Sequence, residues 1–482
     1  MSTAENPVDE APDPRRWRVL AVLIVALFMS LVGVSIVNVA LPSIQSALHA
    51  TQSELQWVLS GYALTFGVGL VTAGRAGDIY GRGPLFIAGV ALFTASSVAS
   101  GLAPDALSLN LARAVQGIGS GLLSPQAVGM IQHYFRGAER GRAFGIFGSA
   151  VGVSVAIGPL LGGLLIEAAG PEQGWRWTFL INIPVGIIAI ILAAIWFPRP
   201  LLNRHLPADP AVPRRRPDLD PVGAVLLGLA VLAVLLPFVE AESHPAIWLS
   251  LLVGFVLVVL WLRWERRYKE RGNSPMVDLA IFRTPSFANG SLLITLYFMG
   301  ITSVWVLVAL YMQNGLGHTA LESGLVGLPS SVLSAFAALW GGRNVARYGR
   351  KVVIGGMYSA IAGLLLSMLV VWLHAGGHAS EWWLLLTLSF VGVAQGCVIS
   401  PNQTLTLADV PLRYAGSSGG IMQTGQRIGT SVGIAVITAV AFGVLAASNW
   451  AVAFSTGFAV IIVVVILALL IAYADLRRRR VQ

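Results

Sequence analysis

Two arginines of this sequence, Arg113 and Arg427, stand inside long apolar runs, whereas no acidic residue lies in the middle of one. A guanidinium at the centre of a bilayer costs roughly 2.5–3.5 kcal/mol on insertion scales, so each should face a polar cavity or a partner. For Arg113 the plainer alternative is a pin to backbone carbonyls or to Gln116, one turn further on. Asn38, Tyr62, Gln116, Gln313, Gln423 and Gln426 are further polar residues in apolar surroundings, with Trp57, Phe298 and Trp305 nearby. Together they could line a mostly apolar cavity suited to an amphipathic ligand. Any single glutamine could equally serve as a hydrogen bond between helices.

Other chemistries find little support. Gly416-Ser417-Ser418-Gly419-Gly420 has the spacing of a nucleophile elbow, but it opens an apolar helix rather than joining a strand to a helix. No Gly-rich phosphate loop ending in Lys-Ser or Lys-Thr is present, so the chain is not itself an ATP-driven pump. His374 and His378 flank two glycines without a visible third metal ligand, and the lone Cys397 excludes an intrachain disulfide. The chain reads as neither an enzyme nor a metal or cofactor protein.

The elements that position these residues follow from composition. The 482 residues are 56% hydrophobic and 11% charged, against roughly 25% charged in a soluble domain. Apolar runs repeatedly reach the ~20 residues a helix needs to cross a hydrocarbon core. They predict fourteen spans, near 19–41, 55–74, 84–103, 107–131, 143–166, 177–197, 221–239, 246–262, 286–312, 323–342, 352–373, 382–405, 417–446 and 450–473. Lys and Arg collect on cytoplasmic loops. With both termini inside, every basic residue falls on an inner segment except Arg113, Arg176 and Arg427. The net charge of +9 is therefore a loop and headgroup feature, and nucleic acid is not an expected partner.

The loop after span 2, Gly74-Arg75-Ala76-Gly77-Asp78-Ile79-Tyr80-Gly81-Arg82, has a weaker copy after span 10 in Gly342 to Lys351. Matching loops in two halves indicate duplication, a habit of secondary transporters. The plan is a tail (1–18), six helices (19–197), a basic linker (198–218), two inserted helices (219–262), a second basic linker (263–285), six more helices (286–473) and a basic tail (474–482). On these residues the chain resembles the major facilitator superfamily, in particular its fourteen-span drug:proton antiporter branch of EmrB/QacA type. The 74–82 loop matches the superfamily loop at its Gly, Asp, Gly and Arg positions. Leu109, Arg113, Gln116, Gly117 and Gly119 match a span-4 motif, and Gly158-Pro159-Leu160-Leu161-Gly162-Gly163 a span-5 antiporter motif. Segments 37–42, 175–184, 275–279 and 415–419 are similar to signatures of that branch.

The resemblance implies a secondary transporter in the cell membrane, exporting drugs, antibiotics or other small amphiphiles by alternating access. Its partners would be a small molecule, protons and the bilayer. It would need no cofactor beyond a proton gradient, and it would act as a monomer. The resemblance also implies roles for single residues. Arg113 takes part in proton coupling. Gly74, Asp78, Gly81 and Arg82 form a gating latch, with Asp78 holding the positive N-terminal end of a facing span near Ser417–Gly420. Apart from the resemblance, the span-5 glycines fall at four-residue steps (Gly141, Gly145, Gly148, Gly152, Gly158, Gly162) and read either as a packing face or, with Pro159 letting the helix bend beside Gly163, as a bending seal. Branch relatives usually carry an Asp four positions before the Val37-Asn38 pair, where this chain has Gly33. Without a buried carboxylate to attract a cation, a neutral or anionic substrate is expected. Uptake, facilitated diffusion, lipid export or a non-transporting receptor are the alternatives.

Overall fold

The computed structural model describes residues 13–199, 218–239 and 245–481. Most of the 198–218 linker, with Arg204 and Arg214 to Arg216, and residues 1–12 of the tail lie outside the described residues. Every regular element among those described is helical. The helices are α1 (Arg16–Leu48), α2 (Gln52–Tyr80), α3 (Arg82–Gly101), α4 (Ala106–Tyr134), α5 (Gly137–Ala169), α6 (Pro171–Leu180), α7 (Asn182–Trp196) and α8 (Pro221–Val239). Then follow α9 (Ser250–Glu270), α10 (Pro285–Leu310), α11 (Ala320–Tyr348), α12 (Arg350–Ala375), α13 (Leu384–Thr406), α14 (Ala415–Leu445) and α15 (Trp450–Val481). The sixth expected span is two helices, broken at Ile181 just before Asn182-Ile183-Pro184.

Thirteen spans among the described residues are long and apolar enough to cross a membrane, counting α6 and α7 as one. The remaining helix, α4, is as long as α2 at 29 residues. It is set apart by polarity: Arg113, Gln116, Gln126 and Gln132 are all buried in it. Neighbouring helices shield it, with α2 and α3 along its sides.

The duplication shows in the turns as well as the helices. Thr51 and Glu54 make a capping box at the start of α2, and Thr319 and Glu322 make the same box at the start of α11. Each box satisfies two otherwise orphaned backbone donors. Gly81 and Gly349 end those helices at φ 109° and 55°, a region that favours glycine. Thus α2 and α11 begin and end by the same local chemistry, one in each bundle.

Helices α1–α7 form one bundle and α10–α15 the other; the second has its own apolar core, and of the first bundle's two, one also takes in Phe287, Leu407, Val410 and Met422 of the second. The two meet where α2 and α4 face α14, and where α5 faces α11 and α13. The inserted α8 lies against α2 and α14, with Leu64, Val231 and Leu235 packed together. On its far side α9 turns Leu252, Val253, Phe255 and Val256 outward, as suits a helix bathed in lipid.

Candidate functional site

Asp78 ends α2 and reaches across to the other bundle. Its Oδ1 accepts the Gly416 backbone N–H at 2.8 Å, and its Oδ2 accepts the Ser417 N–H and Oγ–H, each at 2.9 Å. The carboxylate therefore caps the first turn of α14, where orphaned N–H groups and the helix dipole favour negative charge. Only 2% of its side chain is exposed. Arg82 clamps the arrangement, donating to Asp78 Oδ1 at 2.9 Å, to the Gly129 carbonyl at 3.2 Å and to the Leu412 carbonyl at 3.0 Å. Gly74 and Gly416 face each other so closely that a Cβ on either would strike the other's backbone.

Sequence reasoning missed two side chains that tie down the same corner. The Gln132 amide donates to the Leu407 and Val410 carbonyls at 3.2 and 3.1 Å, and Arg140 donates to the Leu407 carbonyl at 3.2 Å. With Arg82 they hold the 407–412 turn of the second bundle onto the first. Hydropathy could have flagged only Gln132, as a polar residue in an apolar run.

The second seam pairs α5 with α11 and α13. Gly141 and Gly145 abut Gly342 and Ala338, Gly148 abuts Ser400, and Gly152 abuts Ser331 and Ala335. Small residues at four-residue steps permit this approach. The later glycines of α5 do not share it. Gly158 and Gly162 pack on Ser35 and Ile36 of α1, inside their own bundle, and Gly163 meets nothing. Pro159 is exposed. The α5 glycines thus divide: 141–152 lie on the seam between bundles, while Gly158 and Gly162 belong to an internal α1–α5 joint. The close glycine approaches between bundles all fall in the helix halves nearest the basic loops; those further out stay within one bundle. This conformation is closed on its basic face.

The structure separates the expected cavity residues. Arg113 and Gln116 are buried inside the first bundle rather than on a cavity wall. Arg113 Nε donates to the Val58 carbonyl at 3.0 Å and Nη1 to Gln116 Oε1 at 2.6 Å; Gln116 Nε2 donates in turn to Ser97 Oγ at 2.6 Å. The guanidinium also sits 4.4 Å from the Tyr62 ring centre, and the Tyr62 hydroxyl shares a 2.6 Å hydrogen bond with Ser120. A closed network that fastens α4 to α2 and α3 is the plainer of the two readings. Arg427 differs. It is half-buried on α14, 4.3 Å from the Phe66 ring of α2, and no hydrogen bond or ion pair reaches it among the described residues. Gln423, one turn before it, accepts a 2.7 Å bond from Ser124 across the bundles, and Gln426 is half-buried beside it. Asn38 and Gln313 are exposed near the far ends of α1 and α10, away from this group.

In the repeated loop, Ala346 stands where Asp78 stands in the first copy, and Arg350 finds its carboxylate elsewhere. Its guanidinium grips Asp475 of α15 at 2.8 and 2.7 Å and also bonds Asn402. Asn402 passes a hydrogen bond to the Gly290 carbonyl at 3.0 Å. The pair is buried. Its signal in sequence was only the register shared by Arg82 and Arg350.

Two duplicated helical bundles, meeting along paired glycine seams that one carboxylate closes at one face, define a membrane transporter of the alternating-access kind. The sequence profile described as Major Facilitator Superfamily matches residues 23–239 and again 220–434, and the chain belongs to that family. It is a multi-pass cell-membrane transporter and not an enzyme. It is 33% identical to the probable actinorhodin transporter of Streptomyces coelicolor, over 92% of this chain and 75% of that one. It is 31% identical to the puromycin resistance protein pur8 of Streptomyces alboniger, over 92% and 85%. Among solved structures it resembles the human organic anion transporter MFSD10 with a TM-score of 0.65 at 14% identity, covering 95% and 100% of the two chains. That last likeness concerns the fold.

Proposed function

We propose that this protein is a proton-coupled exporter of antibiotics or other small amphiphiles, working as a monomer with its basic face and both termini in the cytoplasm. The observation that carries the reading is the Asp78 clasp on α14, a breakable charge-assisted contact between bundles on the face where substrate would enter. The relatives' names, an actinorhodin transporter and a puromycin resistance protein, support export as the direction and natural antibiotics as the cargo. Arg427 is the cation that cargo would meet between the bundles, with Gln423 and Gln426 beside it. No carboxylate stands at mid-depth among the described residues. An amphiphile that is neutral or anionic therefore suits the path better than a dication.

Inside-out vesicles holding the full-length protein test this with puromycin and the anionic dye fluorescein as probes and a bis-quaternary dication as comparator. An imposed gradient, acid inside, should drive uptake of at least one probe. Arg427→Ala should change KM for an anionic or neutral probe without abolishing assembly. Flux that runs only downhill, indifferent to the gradient, would overturn antiport. Organic dications emerging as the best substrates would overturn the substrate class.

A further inference from the structure

The inserted helix pair contains two carboxylates that the transport path does not use. Asp220, one residue before α8, is 0% exposed, and Glu265 of α9 is 1% exposed. Glu265 lies three residues beyond the apolar stretch that ends at Leu262, between Arg263 and Arg266, and so outside the hydrocarbon layer. One oxygen of each acid is engaged: Asp220 Oδ1 accepts the Gly223 N–H and the Trp264 indole N–H, both at 2.9 Å, and Glu265 Oε2 accepts the Val277 N–H at 3.4 Å. The other oxygens, Asp220 Oδ2 and Glu265 Oε1, are buried without a hydrogen-bond partner. Both point at one spot, since a Cβ built on Gly223 would lie 2.4 Å from the first and 3.0 Å from the second.

Two buried carboxylates whose free oxygens crowd one place disfavour a second negative charge there. No Lys or Arg pairs with either acid among the described residues. The groups facing Glu265 are Asp220, the Trp261 indole and the backbone of Met276 and Val277. Behind Asp220 stand Asp218 and Tyr268, whose hydroxyl donates to Asp218 at 2.9 Å. Burial, and then the neighbouring Asp220, push the Glu265 carboxyl up to about 7. A cleft of about 670 Å³ between α9 and residues 275–283 borders Glu265, with Arg266, Lys269, Glu270, Asp278 and Arg283 as its charged lining.

The pair is linked to the clasp through the segment it grips. Ser274 donates to Asp218, Val277 to Glu265, and the Tyr414 hydroxyl to Asp278 at 2.9 Å. Met276 and Val277 pack with Val71 of α2 and Ile421 of α14. Tyr414 is the residue before α14, whose first turn Asp78 holds.

We propose that Glu265, faced by Asp220, is a proton-binding site built by the inserted helices, and that the proton it holds keeps the 274–278 segment seated and the basic face closed. Loss of that proton leaves two facing negative charges, which loosen the segment and favour opening. The closed form binds more protons than the opened one, so rising pH on the basic side opens the clasp as it passes through about 7. The consequence for transport rests on the alternating-access reading; the site itself does not.

The test uses full-length protein with Cys397→Ser and spin labels on cysteines at Tyr80 and Arg413, both exposed and on opposite sides of the clasp. Measured without substrate, the interlabel distance should be short on the acid side of neutrality and lengthen above it. Glu265→Gln should stay short throughout and lose the transition, and Asp220→Asn should lose it likewise. Trp264→Phe, which removes a donor from Asp220, should move the midpoint upward and stands in for either acid variant if that one does not fold. A flat titration of the parent overturns the proposal, as does a midpoint that none of these substitutions moves. So does a sodium salt that reproduces the shift at fixed pH, since the ligand would then be a metal cation. Failed puromycin flux with an intact titration would count against the transport reading alone.

Discussion

At the scale of residues, the two intramembrane arginines look alike in sequence and have different work. Arg113 is walled in, and its removal leaves Gln116 Oε1 without its donor and empties the volume the guanidinium fills, while the Val58 carbonyl keeps its bond within α2. A stranded polar atom costs roughly 1–3 kcal/mol, and an unfilled buried volume adds to it. Arg113→Ala should therefore destabilise the protein by about 2–5 kcal/mol, read as a lower thermal unfolding midpoint in detergent. Arg427→Ala strands nothing and should leave that midpoint nearly unchanged. Equal losses of stability in the two variants would contradict this division. The sequence could mark both as costly in a bilayer, but which guanidinium has satisfied partners depends on Val58 and Ser97 of other helices, and no spacing rule reaches those. At Gly33, where the acid is missing, a Cβ would lie 3.2 Å from the Phe93 ring, so a larger residue needs that ring to give by a few tenths of an ångström.

At the scale of elements, α2 and α11 are twins whose seams close by different chemistry. The α2–α14 seam has a carboxylate, whereas the α5–α11 seam is backbone against backbone. Hydrogen bonds to a charged group contribute about 1.5–3 kcal/mol each. Asp78→Asn should accordingly shift the balance towards the open basic face by ten-fold or more, seen as faster maleimide labelling of a cysteine at Ile421. On the other seam, Gly342→Val would drive a side chain into Gly141 and Gly145. It should prevent closure outright, locking the protein in one state and abolishing transport while leaving insertion intact. Much of this was legible beforehand. The doubled loop follows from local motifs, and the clasp with its partner near Ser417 from the family resemblance that those motifs carry. The division of α5 into a seam (141–152) and an internal joint (158–163) was not, because glycine spacing marks close approach without naming the helix approached. The break at Ile181 escaped notice for a similar reason: hydropathy runs unbroken across it.

At the scale of the whole molecule, the halves are each fastened by a buried polar anchor and differ in where it sits. In the first bundle Arg113 ties α4 to its neighbours; in the second, Arg350 ties α12 to α15 through Asp475 and to α13 through Asn402. Breaking a buried pair by removing one partner typically costs 3–5 kcal/mol. Asp475→Ala should fall in that range and loosen the last helix, increasing proteolysis near the C-terminus. Replacing both Arg350 and Asp475 by apolar residues should recover part of the loss. A double variant as unstable as the sum of the singles would deny that the two act as a pair.

The polarity of α4 also bears on how the chain is made. A segment with a central arginine and three buried glutamines partitions poorly into lipid when it leaves the ribosome alone. Its acceptors are the Val58 carbonyl on α2, already synthesised, and Ser97 on α3. The preceding helices thus offer α4 the solvent that the bilayer withholds, so it should enter the membrane as part of a hairpin with α3. A nascent chain carrying α4 without α2 and α3 should pass through the translocon instead of stopping in it.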